Sequence, residues 1–377
     1  MERQLGVGVL GLHEGRTMLV ALSHGIPSGP STSTYLPAGR KRAPHVRAVG
    51  GCDLREEKIE AARQACPDLF YTSSYEALLA RKDVDIVAIY TPDHLHGAHI
   101  AQAFDAGKHV ICTKPLVISV EDARRVLGAA RHAGCKLLVG QSTRFFEPFM
   151  RQRQAYERGE FGVLEFVDAH YIHRMDWFYD KSPWATTSTD WVFLGLSHPV
   201  DLVRWYLGPT EEVHAFACHS SLAERYGVQS FDIYTVNLRG SSGRIGRAMG
   251  NYGVHELPSA RNAIELVLYG SDGTSMAQYH DMRYIHTAPD GAEIKEDMLY
   301  SRRGCYFNNE VHGMHYGEFA NYAEYFAVAL LERRDYSPDL EEGLETYCVM
   351  EAIRRSAQTG QPVKIAPILA EIGLQHR

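Results

Sequence analysis

No stretch of this 377-residue chain approaches the roughly 20 consecutive apolar residues a membrane-spanning helix needs, which excludes an integral membrane protein of that kind. Met1-Glu2-Arg3-Gln4 leads straight into an apolar run without the pattern of a signal peptide, so a cytoplasmic protein is expected. Basic blocks are missing beyond Arg40-Lys41-Arg42, and the formal net charge is -7. Both argue against a nucleic-acid partner, and the triplet reads as a solvated loop. The seven cysteines are odd in number and lack CxxC spacing, which fits reduced thiols better than a disulfide framework or a zinc site. Among 19 histidines, His312 and His315 lie close enough to suggest metal ligands, but there is no HExxH, so no metal is expected. Internal repeats and low-complexity tracts are absent too. What remains, 45% hydrophobic and 23% charged residues, is the composition of a soluble globular protein long enough for two domains.

The segment from Val84 to Leu116 is the most informative. One apolar run, Val84 to Tyr90, stops at Thr91-Pro92, and a second, His109 to Cys112, stops at Thr113-Lys114-Pro115. A helical stretch from Ala98 to Ala106 lies between them, giving a strand-helix-strand unit. Unbroken Val/Ile runs joined by helices imply a parallel sheet covered on both faces, and ligands bind such sheets beyond the carboxyl ends of the strands. Lys114 sits at such an end, and Pro115 stops the strand there.

The first strand, Leu5 to Leu10, runs into Gly11-Leu12-His13-Glu14-Gly15-Arg16 and a helix from Thr17 to Ser23. This is a degenerate dinucleotide turn: Gly11 can make the tight turn, His13 stands where the second glycine belongs, and Gly15 is one place early for the third. The second strand, His45 to Cys52, ends at Asp53, whose carboxylate can accept from both ribose hydroxyls and would repel a 2'-phosphate. NAD is therefore expected over NADP; the competing reading has Asp53 merely capping a helix that begins near Arg55. Between Gly11 and Asp53 lies an insertion, roughly residues 23–44, rich in Pro, Gly, Ser and Thr, which reads as a loop that covers the cofactor or touches substrate.

After Lys114, Ser119 caps a helix to His132, and Cys135 to Gly140 forms a further strand. Beyond Arg144 the pattern changes to β-rich segments, Leu164 to Ile172, Glu212 to His219, Phe231 to Leu238, Arg244 to Asn251 and Ile264 to Gly270, with turns such as Gly240-Ser241-Ser242-Gly243. Consecutive strands joined by turns imply a largely antiparallel sheet, whose free face would suit association of copies into a homodimer or homotetramer. Tyr316 to Gly360 reads as helical, ended by Gly360 and Pro362. The expected fold is an α/β Rossmann domain with a parallel doubly wound sheet, residues 1–143, followed by an α+β domain with a large, mostly antiparallel open sheet, residues 144–377.

Several motifs taken together resemble the Gfo/Idh/MocA oxidoreductases, the family of glucose-fructose oxidoreductase and inositol dehydrogenase. They are Thr91-Pro92-Asp93-His94-Leu95-His96 for the family's TPxxxH, Thr113-Lys114-Pro115 for its EKP with Thr113 replacing the glutamate, GQSTRF at Gly140 to Phe145, SHPVDLVRWYLG at Ser197 to Gly208, and EAIRRSAQTGQPV at Glu351 to Val363. The resemblance spans nearly the whole chain and implies that the last helices pack back toward the first domain. It also implies a cofactor site around Gly11, Leu12, His13, Asp53, Thr91, Pro92, His96, Thr113 and Lys114.

Oxidising a hydroxyl needs a group to take its proton while hydride leaves the same carbon. Lys114 can do so if its pKa falls toward neutrality, and His198, in Trp191 to Trp205, is the second candidate base or a residue near a helix cap. The resembled family places an aspartate four residues before that histidine, where this chain has Leu194. Asp190 or Asp176 would then compensate, or His198 works with Lys114 alone, or the reaction is not simple dehydrogenation. Arg144, Tyr171, His173, Arg174, Asp176, Trp177 and Trp184 offer the mix of rings and hydrogen-bonding groups that suits a polyhydroxylated ring, and His173 with Asp176 stands out only as a pair. The expected activity is NAD-dependent oxidation or reduction at a ring hydroxyl of a sugar, glycoside or cyclitol. Two alternatives are a glycoside hydrolase or lyase that uses NAD for transient oxidation and elimination, and a non-catalytic dinucleotide sensor.

Overall fold

The computed structural model describes residues 3–24, 45–255, 263–288, 290–298 and 317–374. Most of the 23–44 insertion, and both His312 and His315, lie outside the described residues. Two compact units form: the first takes the described residues up to Phe145 together with 317–343, the second those from Phe146 to 298 and from Leu344 onward. A linear division at 143/144 would have placed the stretch 317–343 in the second.

In the first unit β1 (Leu5–Leu10), β2 (Val46–Cys52), β3 (Phe70–Thr72), β4 (Ile86–Ile89), β5 (His109–Thr113) and β6 (Leu137–Gly140) make one parallel sheet in the order β3-β2-β1-β4-β5-β6. The central strands are buried along their whole length, which is why they read as unbroken apolar runs. Their connections carry α1 (Gly15–His24), α2 (Glu56–Ala65), α3 (Tyr75–Leu79), α4 (His96–Asp105) and α5 (Val120–Ala133). Ser119 caps α5 by accepting the Asp122 amide at 3.1 Å. The strand order reverses between β1 and β4, so the carboxyl ends of these strands mark the switch point where ligands bind such sheets.

The second unit begins with α6 (Glu147–Glu157) and β7 (Leu164–Ile172), followed by α7 (Asp176–Lys181), α8 (Trp191–Leu194), α9 (Ser197–Leu207), β8 (Thr210–Cys218) and α10 (Ser221–Tyr226). The strands β9 (Ile233–Gly240), β10 (Ile245–Asn251), β11 (Ile264–Gly270), β12 (Thr274–Tyr279), β13 (Arg283–Thr287) and β14 (Glu293–Asp297) come next. With β15 (Val363–Lys364) they form a nine-stranded sheet in the order β14-β13-β12-β11-β7-β10-β9-β8-β15, antiparallel except for the pair β7 and β10. Alternation divides its faces. Val167, Ala169, Val236, Leu238, Ala248 and Leu266 are buried on the face that α9 covers, whereas Phe216, Ile245 and Tyr269 are exposed on the other.

Helix α11 (Glu318–Glu332) belongs to the first unit, where Phe319, Tyr322 and Phe326 enter one core with Val7, Val9, Leu19 and Tyr90. Its buried Glu324 accepts the His45 amide at 3.0 Å and holds the same residue's ring Nδ1 at 2.6 Å, pinning the start of β2. The helical stretch expected from Tyr316 to Gly360 is thus two helices, α11 and α12 (Leu340–Thr359), before α13 (Ala366–Ile372). Ser337-Pro338 lies in the break between the two.

Candidate active site

The turn after β1 shows why the imperfect glycine pattern still folds. Gly11 has φ +91°, and a Cβ there would stand 2.6 Å from the Tyr90 carbonyl oxygen, so both backbone conformation and space require glycine. Gly15 opens α1, and a Cβ on it would come within 2.5 Å of the Val9 side chain. It does the close-packing work of the third glycine from one position earlier. Asp53 lies at the end of β2, where Oδ2 accepts the Leu12 amide at 2.8 Å and Oδ1 accepts the Arg55 amide at 3.0 Å. The carboxylate therefore braces the glycine turn across 41 residues of sequence and also holds the amide of Arg55, the N-cap of α2, whose own side chain makes no cap bond. A turn too tight for a Cβ, a carboxylate at the end of the adjacent strand and the amino end of α1 together fit a dinucleotide.

Thr91 and Pro92 follow β4, and Thr113, Lys114 and Pro115 follow β5. His96 joins the two turns. Its ring is almost fully buried, with Nδ1 2.7 Å from the Pro115 carbonyl and Nε2 2.9 Å from the Thr91 carbonyl. Burial lowers its pKa, against Asp93 and the two carbonyls, which favour the protonated ring. The Thr91 hydroxyl pairs with His99 Nδ1 at 3.0 Å. His13, in the turn after β1, is half-buried. The Lys114 side chain is partly enclosed, and burial lowers its pKa from 10.5 to about 8, with Glu14 and the buried Asp93 pulling the other way. A lysine poised there holds or releases a proton near neutral pH. Arg144 is buried in the same unit, where Nη1 donates to the Ser337 hydroxyl at 2.8 Å and lies 3.7 Å from Glu342 Oε2.

In the second unit His198 is the second residue of α9 and is buried. The N-cap is Leu196, without a side-chain bond, so His198 is not the cap; its ring meets Tyr171 edge-on at 5.6 Å. Leu194, at the family's aspartate position, ends α8 and accepts the Ser197 hydroxyl on its carbonyl at 3.2 Å. Asp190 caps α8 by accepting the Val192 amide at 2.9 Å and takes the Tyr234 hydroxyl at 3.1 Å. Burial pushes its pKa up, against those two donors. Asp176 has a different task. Its Oδ2 accepts Arg174 Nε at 2.6 Å and its Oδ1 the Trp177 amide at 2.9 Å; desolvation, the largest single influence, raises its pKa, but these bonds and the Arg174 charge together outweigh it and lower it. His173 lies beside Tyr171, and half-buried Trp184 meets Phe178 edge-on at 6.0 Å. Tyr171, His173 and His198 therefore gather in this unit, Asp190 is engaged with Tyr234, and Lys114, His96 and Asp53 belong to the first. Two ring neighbours were not read from sequence: Tyr252, edge-on to Tyr171 at 5.4 Å, and His280, beyond the end of β12. Only pairing across strands brings them there.

A family model described as oxidoreductase family, NAD-binding Rossmann fold, matches residues 26–141, and one described as oxidoreductase family, C-terminal alpha/beta domain, matches residues 153–365. The chain belongs to the Gfo/Idh/MocA oxidoreductase family. As a Gfo/Idh/MocA protein it is similar to inositol 2-dehydrogenase of Rhizobium meliloti strain 1021, 26% identical over 88% of this chain and 98% of that one. A 1-carboxy-3-chloro-3,4-dihydroxycyclohexa-1,5-diene dehydrogenase from Comamonas testosteroni is 34% identical, over 42% of this chain and only 41% of its own length. An Agrobacterium radiobacter oxidoreductase solved with NAD+, L-tartaric acid and magnesium shares the fold with a TM-score of 0.79 at 18% identity, covering 97% of this chain and 100% of that one. Among the described residues no His/Cys/Asp/Glu group could hold a metal ion, and no helix is long and apolar enough to cross a membrane.

Proposed function

We propose that this oxidoreductase uses NAD to oxidise, or in reverse reduce, a ring hydroxyl of a sugar, glycoside or cyclitol, with Lys114 as proton acceptor and His198 as its partner. The observation that carries the reading is a lysine at the carboxyl end of the parallel strand β5 with its pKa lowered to about 8. In the oxidation the hydroxyl O–H proton passes to Nζ of Lys114 as the carbonyl forms at the same carbon. Bound NAD supplies the acceptor for the hydride. His96 keeps the Lys114-Pro115 turn fixed against the Thr91 turn, and His198 orients or shares the proton. Inositol and other cyclic polyols in the names of relatives support a polyhydroxylated ring.

Asp53 is the group that favours NAD over NADP, since its carboxylate accepts ribose hydroxyls and repels a 2'-phosphate. Asp53→Asn should weaken NAD affinity about 10-fold or more, the loss expected for a charge-assisted hydrogen bond, and narrow the gap to NADP. Fluorescence titration with NADH and NADPH checks both. A homodimer or homotetramer through the outer face of the nine-stranded sheet would cover Phe216, Ile245 and Tyr269, exposed to 63%, 51% and 42%.

The decisive experiment incubates the purified protein and NAD with sugars, cyclitols and aryl glycosides, following NADH and released aglycone together. NADH in proportion to ketone product supports the proposal. Leu194, standing at the aspartate position, favours as second reading a glycoside cleavage by transient oxidation and elimination, which would release aglycone without net NADH. NAD binding with neither product would overturn both and leave a sensor.

A further inference from the structure

The rings beyond β7 form a continuous run. Tyr171 and His173, two residues apart in extended chain, stack with centroids 6.2 Å apart at 15°. His198 meets Tyr171 from one side at 5.6 Å, and Trp177 tilts against His173 on the other at 6.1 Å, with His280 edge-on to His173 at 5.7 Å. The run leads from the proposed partner of Lys114 outward to Trp177, which is 43% exposed.

Trp177 is held although it is exposed. Its indole Nε1–H donates to the Arg174 carbonyl at 2.9 Å, and its amide donates to Asp176, which also grips the Arg174 guanidinium. With the indole N–H turned to the main chain and Lys181 Nζ over the ring at 5.5 Å from its centroid, what Trp177 itself offers a ligand is hydrocarbon. It can recognise the face of a ring, not a hydroxyl. A rigid aromatic already in position also binds without the ordering cost of a mobile side chain. Three ring-to-ring steps, of 5.6, 6.2 and 6.1 Å, separate His198 from Trp177.

We propose that Trp177, with His173 and His280 at its inner edge, forms an aglycone subsite, and that the substrate is a glycoside carrying a second ring with an apolar face, either a pyranose or an aryl group. This rests on the reading of the protein as a carbohydrate oxidoreductase whose reacting ring lies at His198.

The test compares methyl, phenyl and glucosyl glycosides of one sugar with the full-length protein and NAD, by kcat/KM and by calorimetric binding. The wild-type protein should prefer the phenyl or the glucosyl compound to the methyl one by about tenfold, in line with one stacked ring. Whichever is preferred identifies the second ring. Trp177→Ala should remove most of that preference and Trp177→Phe restore it. An absent preference in the wild type, or one that survives in Trp177→Ala, overturns the subsite. Calorimetry needs no turnover: Trp177-dependent binding without oxidation of any glycoside would sink the proposed chemistry and leave the subsite standing.

Discussion

Lys114→Met lowers turnover about 100-fold or more, the contribution expected of a positioned proton acceptor, with the loss in kcat. The pH profile gives the sharper signature. Only the neutral amine accepts a proton, so oxidation by the wild type rises with pH and levels off above about 8, the pKa to which burial lowers this group. The variant lacks that limb, and Lys114→Arg does not restore it, because a guanidinium stays protonated throughout. Stability rises with pH as well. A lysine whose folded pKa lies below its unfolded value binds fewer protons folded than unfolded between about 8 and 10.5, so folding gains with rising pH across that window and bears the full penalty below it. Lys114→Met relieves that penalty, and its melting temperature at pH 7 should not fall below the wild type's. A variant that keeps near-normal turnover removes Lys114 from the chemistry; one that loses turnover and stability together assigns it a structural task.

The parts of this enzyme that local pattern could reveal are those whose environment is uniform along the chain. The central strands of the parallel sheet are buried on both faces, so Leu5–Leu10 and the runs ending at Thr91 and Thr113 declare themselves, and β7 alternates from Val167 to His170. Strands β12 to β15 of the second sheet were not read, and β14 escapes for the opposite reason. In β14, Glu-Ile-Lys-Glu-Asp, four of five residues are exposed, and an edge strand with nothing to bury carries no period-two signal. Lys114 was legible because a proline and a strand end announce it. His96 was visible as part of a motif, but its bonds to the Pro115 and Thr91 carbonyls depend on two strands lying side by side, and no local spacing encodes that. The same holds for Asp53, whose partner Leu12 lies across the insertion, and for Asp176, whose tie to Arg174 and Trp177 turns a plausible acid into the brace of a ring.

Arg204 supplies the largest expected change in stability. It lies six residues beyond His198 on α9, buried, with Nη2 2.7 Å from Glu345 Oε2 and Nη1 on the Thr346 hydroxyl. Truncating one member of a buried pair leaves the other charge without its counterion, so Arg204→Ala should cost about 3–5 kcal/mol, read as a lower urea midpoint with an unchanged slope. The loss belongs to the stranded carboxylate more than to the missing contact. Arg204→Met combined with Glu345→Met, which removes both charges and fills the volume with hydrocarbon, should therefore recover most of it, and a double-mutant cycle should return a coupling well above that of an exposed pair. Turnover adds a second readout, because α9 carries His198 in its first turn. If the pair serves to hold that helix, the charge-free double variant should regain turnover along with stability. Recovered stability with turnover still depressed would mean that the ion pair itself, and not only the packing of α9, sets the position of His198.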